Sequence, residues 1–268
     1  MNRIEKVLNK GEKLLIPYIT PEFPIKNSTL PLLEALHYAG SDMIEIGIPF
    51  SDPIADGPTI QHSSYIALKN GVNLRKIFNI VSEFRKKFST PIILMGYFNS
   101  ILNFGISKFV SESVENGIDG LIVPDLPVDE ADELINFSQK YGLSNIFLVA
   151  PTSTTERIKL ISSKSTHFAY CVSVTGVTGE RENFGGDEFE NFMRRVKENS
   201  TKPFVVGFGI SKREHVLKAW EWADGAVVGS ALIKKLFNID EISKCSEIAY
   251  EFIKELKNGL VQEKKQIW

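Results

Sequence analysis

Residues 42–60 read DMIEIGIPFSDPIADGPTI and place a carboxylate, Glu45, inside an aliphatic run, followed by an irregular stretch holding Asp52 and Asp56. In an extended segment side chains alternate, so Ile44 and Ile46 share one face, and Met43 and Glu45 share the other. The isoleucine pair suits packing against helices, which turns Glu45 inward. A carboxyl stripped of water there binds its proton more tightly and can donate it. The alternative, a structural Glu paired with a cation, finds no basic residue at the end of any predicted strand. For the same reason a Schiff-base mechanism lacks its lysine. A metal mechanism needs clustered ligands, but His37, His62 and His215 fall on predicted helices, as packing or surface residues, and His167 at the start of its strand. Carboxylates remain: Glu45, Asp56, and Asp125 in VPDLP. Two acids in different environments can divide acid and base roles. Asp52 and Asp56 are equally compatible with turn formation, since SDP and ADGP are ordinary turn chemistry.

A second constellation consists of glycines: TGVTG at 175–179, GFGIS at 207–211 and GSALIKKL at 229–236, each after an apolar run. Glycine lets backbone amides approach an anion, and GSALIKKL reads as a short helix whose N-terminus favours phosphate. Tight packing is the competing explanation for any one of these turns.

The elements that must position these groups recur regularly. Apolar, β-branched runs begin at 14 (LLIPYI), 42 (DMIEIG), 91 (PIILMGY), 118 (IDGLIVP), 145 (NIFLVA), 167 (HFAYCVSV), 203 (PFVVGFG) and 225 (GAVVGS). Between and after them lie segments with helical spacing: LPLLEALHYAG, LRKIFNIVSEFRKKF, ISKFVSESVENG, DEADELINFSQKYG, TTERIKLISSK, DEFENFMRRVKENS, REHVLKAWEWA and EISKCSEIAYEFIKELKNG. This alternation predicts a (β/α)8 barrel, the TIM-barrel architecture, as one domain over 1–268 with a short N-terminal helix around Ile4, Val7 and Leu8. Strand C-termini then form the site, and the loops after strands seven and eight form a phosphate site. A doubly wound open sheet would want GxGxxG after its first strand, where LLIPYITPEFP stands instead. The long loop VTGVTGERENFGG is a candidate lid.

Composition agrees with a globular protein acting on a small molecule. The 268 residues are 43% hydrophobic and 24% charged, and 31 basic against 33 acidic side chains give a net charge of −2. There is no basic footprint for nucleic acid or anionic membrane. Cys171 and Cys245 lack disulfide or metal spacing and read as buried thiols of a reducing compartment. The charged N-terminus is unlike a signal peptide, and no apolar run nears the ~20 residues of a membrane span, so a cytoplasmic location is expected.

MIEIGIPFSDPIADGPTIQ resembles the signature of the tryptophan synthase alpha chain family, and MGYFN, GLIVPDLP, SVTGVTGER and VGFGIS resemble that family in the same order. The likeness spans essentially the whole chain; the first motif is long and specific, whereas the glycine turns occur in many barrels. It implies retro-aldol cleavage of indole-3-glycerol phosphate to indole and glyceraldehyde 3-phosphate. Glu45 matches the family's acid–base carboxylate, and Asp56 the carboxylate that holds the indole N–H. Tyr170 matches a pocket tyrosine; Gly179, Phe208, Gly209, Gly229 and Ser230 match the phosphate cradle; Thr178 matches a threonine that closes onto the Asp56 loop. No cofactor is implied in this chain, and pyridoxal phosphate is expected in a partner beta chain of an alpha2 beta2 heterotetramer. The first loop, TPEFP, and Ser100 depart from the family's usual Gly-Asp-Pro turn and proline. An alternative function is a stand-alone lyase releasing free indole; a non-enzymatic barrel that only completes an assembly would be expected to have lost the carboxylates. The irregular loop 51–58 is expected to be mobile until a partner presses on it, with Asp52 and Pro53 serving that coupling.

Overall fold

The structure, a computed structural model, describes residues 2–172 and 186–258. Its strands are β1 (Leu14–Ile19), β2 (Ile44–Gly47), β3 (Ile92–Met95), β4 (Gly120–Ile122), β5 (Ser144–Ile146), β6 (Leu148–Val149), β7 (Ala169–Cys171), β8 (Phe204–Val206) and β9 (Gly225–Val228). They form one sheet ordered β5-β4-β3-β2-β1-β9-β8-β7-β6, with every pairing parallel. All eight expected strands are present. The ninth arises because NIFLVA is broken at Phe147: β5 pairs with β4, and β6 pairs with β7. The two ends of the sheet are therefore consecutive in the chain, which closes the barrel. The Tyr170 amide donates to the Phe147 carbonyl at 3.0 Å, so backbone pairing continues through the break.

The helices are α1 (Arg3–Leu8), α2 (Thr29–Tyr38), α3 (Pro58–Lys69), α4 (Leu74–Arg85), α5 (Phe98–Phe104), α6 (Ile106–Glu115), α7 (Asp132–Tyr141), α8 (Thr155–Lys164), α9 (Asp187–Asn199), α10 (Arg213–Trp222), α11 (Ser230–Lys235) and α12 (Ile242–Asn258). Each parallel step needs such a crossover. In α4, Ile77, Phe78, Val81 and Phe84 form one buried stripe, and the Asn73 side chain caps the helix by accepting from the Lys76 amide at 3.0 Å. Ile44 and Ile46 join the layer between strands and helices, while Met43, Ile93, Ile122 and Val205 fill the barrel interior, as the alternation requires.

The bottom of the barrel is shut by α1. Ile4 is fully buried among the interior side chains, a burial that contributes about 1.5–3 kcal/mol. Asp119, buried at the entry to β4, holds the helix there: it accepts from Arg3 at 2.9 Å and from Arg85 at 2.8 Å. The unusual first loop is equally well anchored. Glu22 has φ +58, in the left-handed region, and its buried carboxylate accepts from Asn27, Thr29 and Lys76 at 2.5–2.8 Å. Burial alone would raise that carboxyl, but the Asn27 amide, Lys76 and Thr29 outweigh it and hold it below its ordinary value. Both cysteines are buried and unpaired. Among the described residues no helix is long and apolar enough to cross a membrane.

Candidate active site

Glu45 sits on the inner face of β2, in register with Tyr18 of β1 on one side and Ile93 of β3 on the other. It is 1% exposed, and among the described residues the one polar side chain that engages its carboxyl is the Tyr170 hydroxyl, too loosely placed for a well-formed hydrogen bond. Burial, with the Asp56 charge adding to it, pushes its pKa up to about 8, and the Tyr170 hydroxyl opposes only part of that. Glu45 is thus protonated at neutral pH and held by no charged partner among the described residues, as suits a general acid awaiting a substrate.

Asp56 lies above it in the loop after β2. Burial raises its carboxyl to about 6, against the effect of a hydrogen bond from Tyr97. At pH 7 the pair therefore divides, with the proton on Glu45 and the charge on Asp56. The loop is held more firmly than its composition suggests. The Tyr97 hydroxyl donates to Asp56 Oδ2 at 3.1 Å and accepts from the Ala55 amide at 2.9 Å; the Asp56 carbonyl accepts from Gln61 at 2.8 Å, and its amide donates to the Pro53 carbonyl at 3.0 Å. Tyr97 is fixed in turn by stacking on Phe50 at 5.1 Å. Asp56 is accordingly tethered in the chain on its own, and it is the outer rim, Ser51 to Ala55, that faces solvent. Tyr97→Phe keeps the stack but removes both hydrogen bonds. We expect kcat/KM for indole release to fall at least ~10-fold, and the Asp56 titration to move up in pH because the bond that lowers it is gone. An unchanged pH–rate profile would remove Tyr97 from this role.

Two glycines at the strand tops make room for tyrosines. A Cβ on Gly47 would lie 1.9 Å from the Tyr18 hydroxyl, and one on Gly207 would lie 2.1 Å from that of Tyr170. Both tyrosines are buried beside Glu45, and burial followed by the carboxylate charges raises both hydroxyls well above their usual value. Gly207, in the expected anion turn, thus also leaves the space that the Tyr170 ring fills. Gly209 adopts φ +69, a conformation natural to glycine. Gly229 precedes α11, the expected short helix, which opens at Ser230. Phe208 is half-buried and meets Phe189 of α9 edge-on, with ring centres 5.9 Å apart. Since β7, β8, β9, β1, β2 and β3 are neighbours in that order, Tyr170, Gly209, Ser230, Tyr18, Glu45 and Tyr97 line one continuous arc of the mouth. Thr178 and Gly179, with the candidate lid, lie outside the described residues.

The profile described as "Tryptophan synthase alpha chain" matches residues 4–261. A protein of that description from Chlorobium chlorochromatii is 44% identical over 264 residues, covering 96% of this chain and 99% of its own length. The chain belongs to the tryptophan synthase alpha chain family. Solved structures agree: a chain of the tryptophan synthase α2β2 complex from Pyrococcus furiosus is 45% identical with TM-score 0.85, covering 91% of this chain and 98% of its own. A tryptophan synthase alpha chain from Legionella pneumophila is 35% identical with TM-score 0.88, covering 99% of each chain.

Within this tryptophan synthase alpha chain fold, the third carboxylate considered, Asp125, is exposed, and its Oδ1 accepts from the Phe98 amide at 2.8 Å, tying the loop after β4 to the start of α5. Asp52 is exposed at the rim and takes a hydrogen bond from the Ser51 hydroxyl at 2.6 Å. Tyr97 and Tyr18 were not singled out from the sequence. The only available signals were tyrosine rather than phenylalanine within LLIPYI and MGYFN, and a glycine two residues after Glu45. Three histidines are placed as expected: His37 bonds Thr90 at 2.6 Å, His62 packs on Phe237, and His167 lies at the strand entry.

Proposed function

We propose that this chain cleaves indole-3-glycerol phosphate to indole and glyceraldehyde 3-phosphate as the alpha subunit of tryptophan synthase, with Glu45 and Asp56 as its catalytic residues. The observation that supports this most directly is the buried, protonated Glu45 beneath an ionised Asp56. Glu45 gives its proton to the indole ring carbon that bears the glycerol chain. Positive charge then develops on the ring nitrogen, whose N–H donates to the Asp56 carboxylate. Glu45, now ionised, takes the proton of the adjacent side-chain hydroxyl. The carbonyl of glyceraldehyde 3-phosphate forms as the carbon–carbon bond breaks, and its electron pair restores the aromatic ring. Every proton is accounted for, and Glu45 ends as it began. Tyr170 lines the indole pocket. The turns at Phe208–Gly209 and Gly229–Ser230, with Gly179, cradle the phosphate, and Thr178 closes over Asp56.

The partner is a beta chain in an α2β2 assembly, where the pyridoxal phosphate resides; this chain needs no cofactor of its own, and a cytoplasmic setting fits both. The α2β2 complex of Pyrococcus furiosus is described as one of mutual activation. Here the rim that a partner would meet passes from polar Ser51 and Asp52 to apolar Pro53, Ile54 and Ala55, with Ile54 84% exposed. Covering that rim would exclude water from Asp56 without having to order it. We expect indole release to rise at least ~10-fold on adding the cognate beta chain, about 1.4 kcal/mol of barrier. Asp52→Ala should reduce the stimulation more than the basal rate. Full activity alone, unchanged by a beta chain, would instead indicate a stand-alone lyase.

A further inference from the structure

We infer that His215 is a positioning residue for the phosphate-binding turn, locking the Gly209 peptide so that it presents amide hydrogens rather than a carbonyl oxygen to the anion. This rests on the reading of Gly209 as part of the phosphate cradle. His215 stands in the first turn of α10, 7% exposed, with Nδ1 3.0 Å from the Gly209 carbonyl oxygen. A carbonyl only accepts, so Nδ1 bears the hydrogen and donates it. The Ser211 amide N–H also points at this nitrogen, with the Ser211 hydroxyl beside it, both at 3.4 Å; that contact would need a bare Nδ1, and the shorter 3.0 Å approach to the carbonyl is the one that assigns the hydrogen to Nδ1.

The consequence follows from peptide geometry. In a trans peptide the carbonyl and the next N–H point in opposite directions, so drawing the Gly209 oxygen to the helix turns the Ile210 N–H away from it. Glycine at φ +69 has no side chain to keep this arrangement, since both hands of the backbone are open to it. Without His215 the peptide can turn over and set an oxygen where the phosphate must sit. The imidazole is itself well placed to act. The His215 amide donates to the Lys212 carbonyl at 3.1 Å. Arg213 donates to the carbonyls of Leu256 and Lys257 at the end of α12, and its guanidinium lies over Trp220, 5.4 Å from the ring centre. The start of α10 is thereby pinned to α12.

The test is calorimetric binding of glycerol 3-phosphate and, separately, of indole to the parent, His215→Phe and His215→Asn. Phenylalanine keeps the ring shape without a donor; asparagine places an amide N–H near the Nδ1 position. His215→Phe should weaken glycerol 3-phosphate about 10-fold and leave indole within about 2-fold, with His215→Asn close to the parent. Equal affinity for glycerol 3-phosphate, or equal weakening of both ligands, would overturn the inference. Should His215→Phe fail to fold, nitrogen NMR of the parent decides: a hydrogen on Nδ1 supports the assignment, and an unprotonated Nδ1 overturns it. If glycerol 3-phosphate leaves the Gly209, Gly229 and Ser230 amides of the parent unmoved, the phosphate assignment fails first and takes this one with it.

Discussion

Glu45→Gln is expected to lower indole release ~10²–10⁴-fold while making the protein more resistant to heat at alkaline pH. The amide preserves the shape of the carboxyl but cannot pass a proton in either direction, and losing general acid–base catalysis typically has that size. The stability change follows from linkage. The Glu45 carboxyl rises from 4.5 to about 8 on folding, so folding takes up a proton between those values. The stabilisation from a raised carboxyl is complete below pH 4.5 and is lost as pH rises through about 8. Glutamine has no such loss, so parent and variant should melt alike at pH 4, diverge progressively between pH 4.5 and about 8, and stay apart above that, with the variant higher. Indole release above about a tenth of the parent rate would end the assignment of Glu45 as proton donor. A parent whose melting temperature did not fall relative to the variant across that window would show Glu45 to be solvated or paired.

Asp56→Asn should lower kcat/KM ~10²–10³-fold, the usual loss when a preorganised partner for developing charge is removed. Its pH profile is the sharper test. In the parent, activity requires Asp56 ionised and Glu45 protonated, so kcat/KM should form a bell between about 6 and about 8. The Asp56 charge helps raise Glu45, so removing it should move the alkaline limb to lower pH. The acid limb is the weaker reading, because a phosphate ester itself titrates near 6. An alkaline limb that stays in place would mean that the two carboxylates do not act on one another.

Much of this site was legible because Glu45 lies on a strand, where alternation between Ile44 and Ile46 fixes its direction without knowledge of any partner. Asp56 was less so: in an irregular loop, spacing says nothing about direction, and ADGP suits a turn as well as a catalytic loop. What tethers Asp56 was not legible at all. Tyr97 is 41 positions away, its partner is set by how β2 and β3 lie side by side, and a tyrosine ending an apolar run is indistinguishable from core. Gly207 was read only as an anion turn because local sequence cannot reveal that a ring from the neighbouring strand needs its space. His215 was taken for a packing histidine on the same ground: the oxygen it holds belongs to a turn of another element. The break in the fifth strand left no mark either, since IFLVA, residues 146–150, is uniformly apolar across it.

That break at Phe147 divides the wall of the barrel into two jaws. One, β1 to β5, bears Glu45, Asp56 and Tyr97; the other, β6 to β9, bears Tyr170 and the Gly209 and Ser230 turns. Along β1 and β9 they are joined by four successive residue pairs, from Leu14 with Gly225 to Pro17 with Val228. On the far side the Tyr170 amide donates to the Phe147 carbonyl at 3.0 Å and the Thr166 amide to the Asn145 carbonyl at 2.8 Å, so backbone pairing also crosses the break there. The wall is thus closed by backbone pairing on both sides, and the distance from Glu45 to the Gly209 turn is set by that closed ladder rather than by any one loop. On the function proposed above, a substrate spanning the mouth would have to match that fixed distance, with its ring at Glu45 and its phosphate at the Gly209 turn.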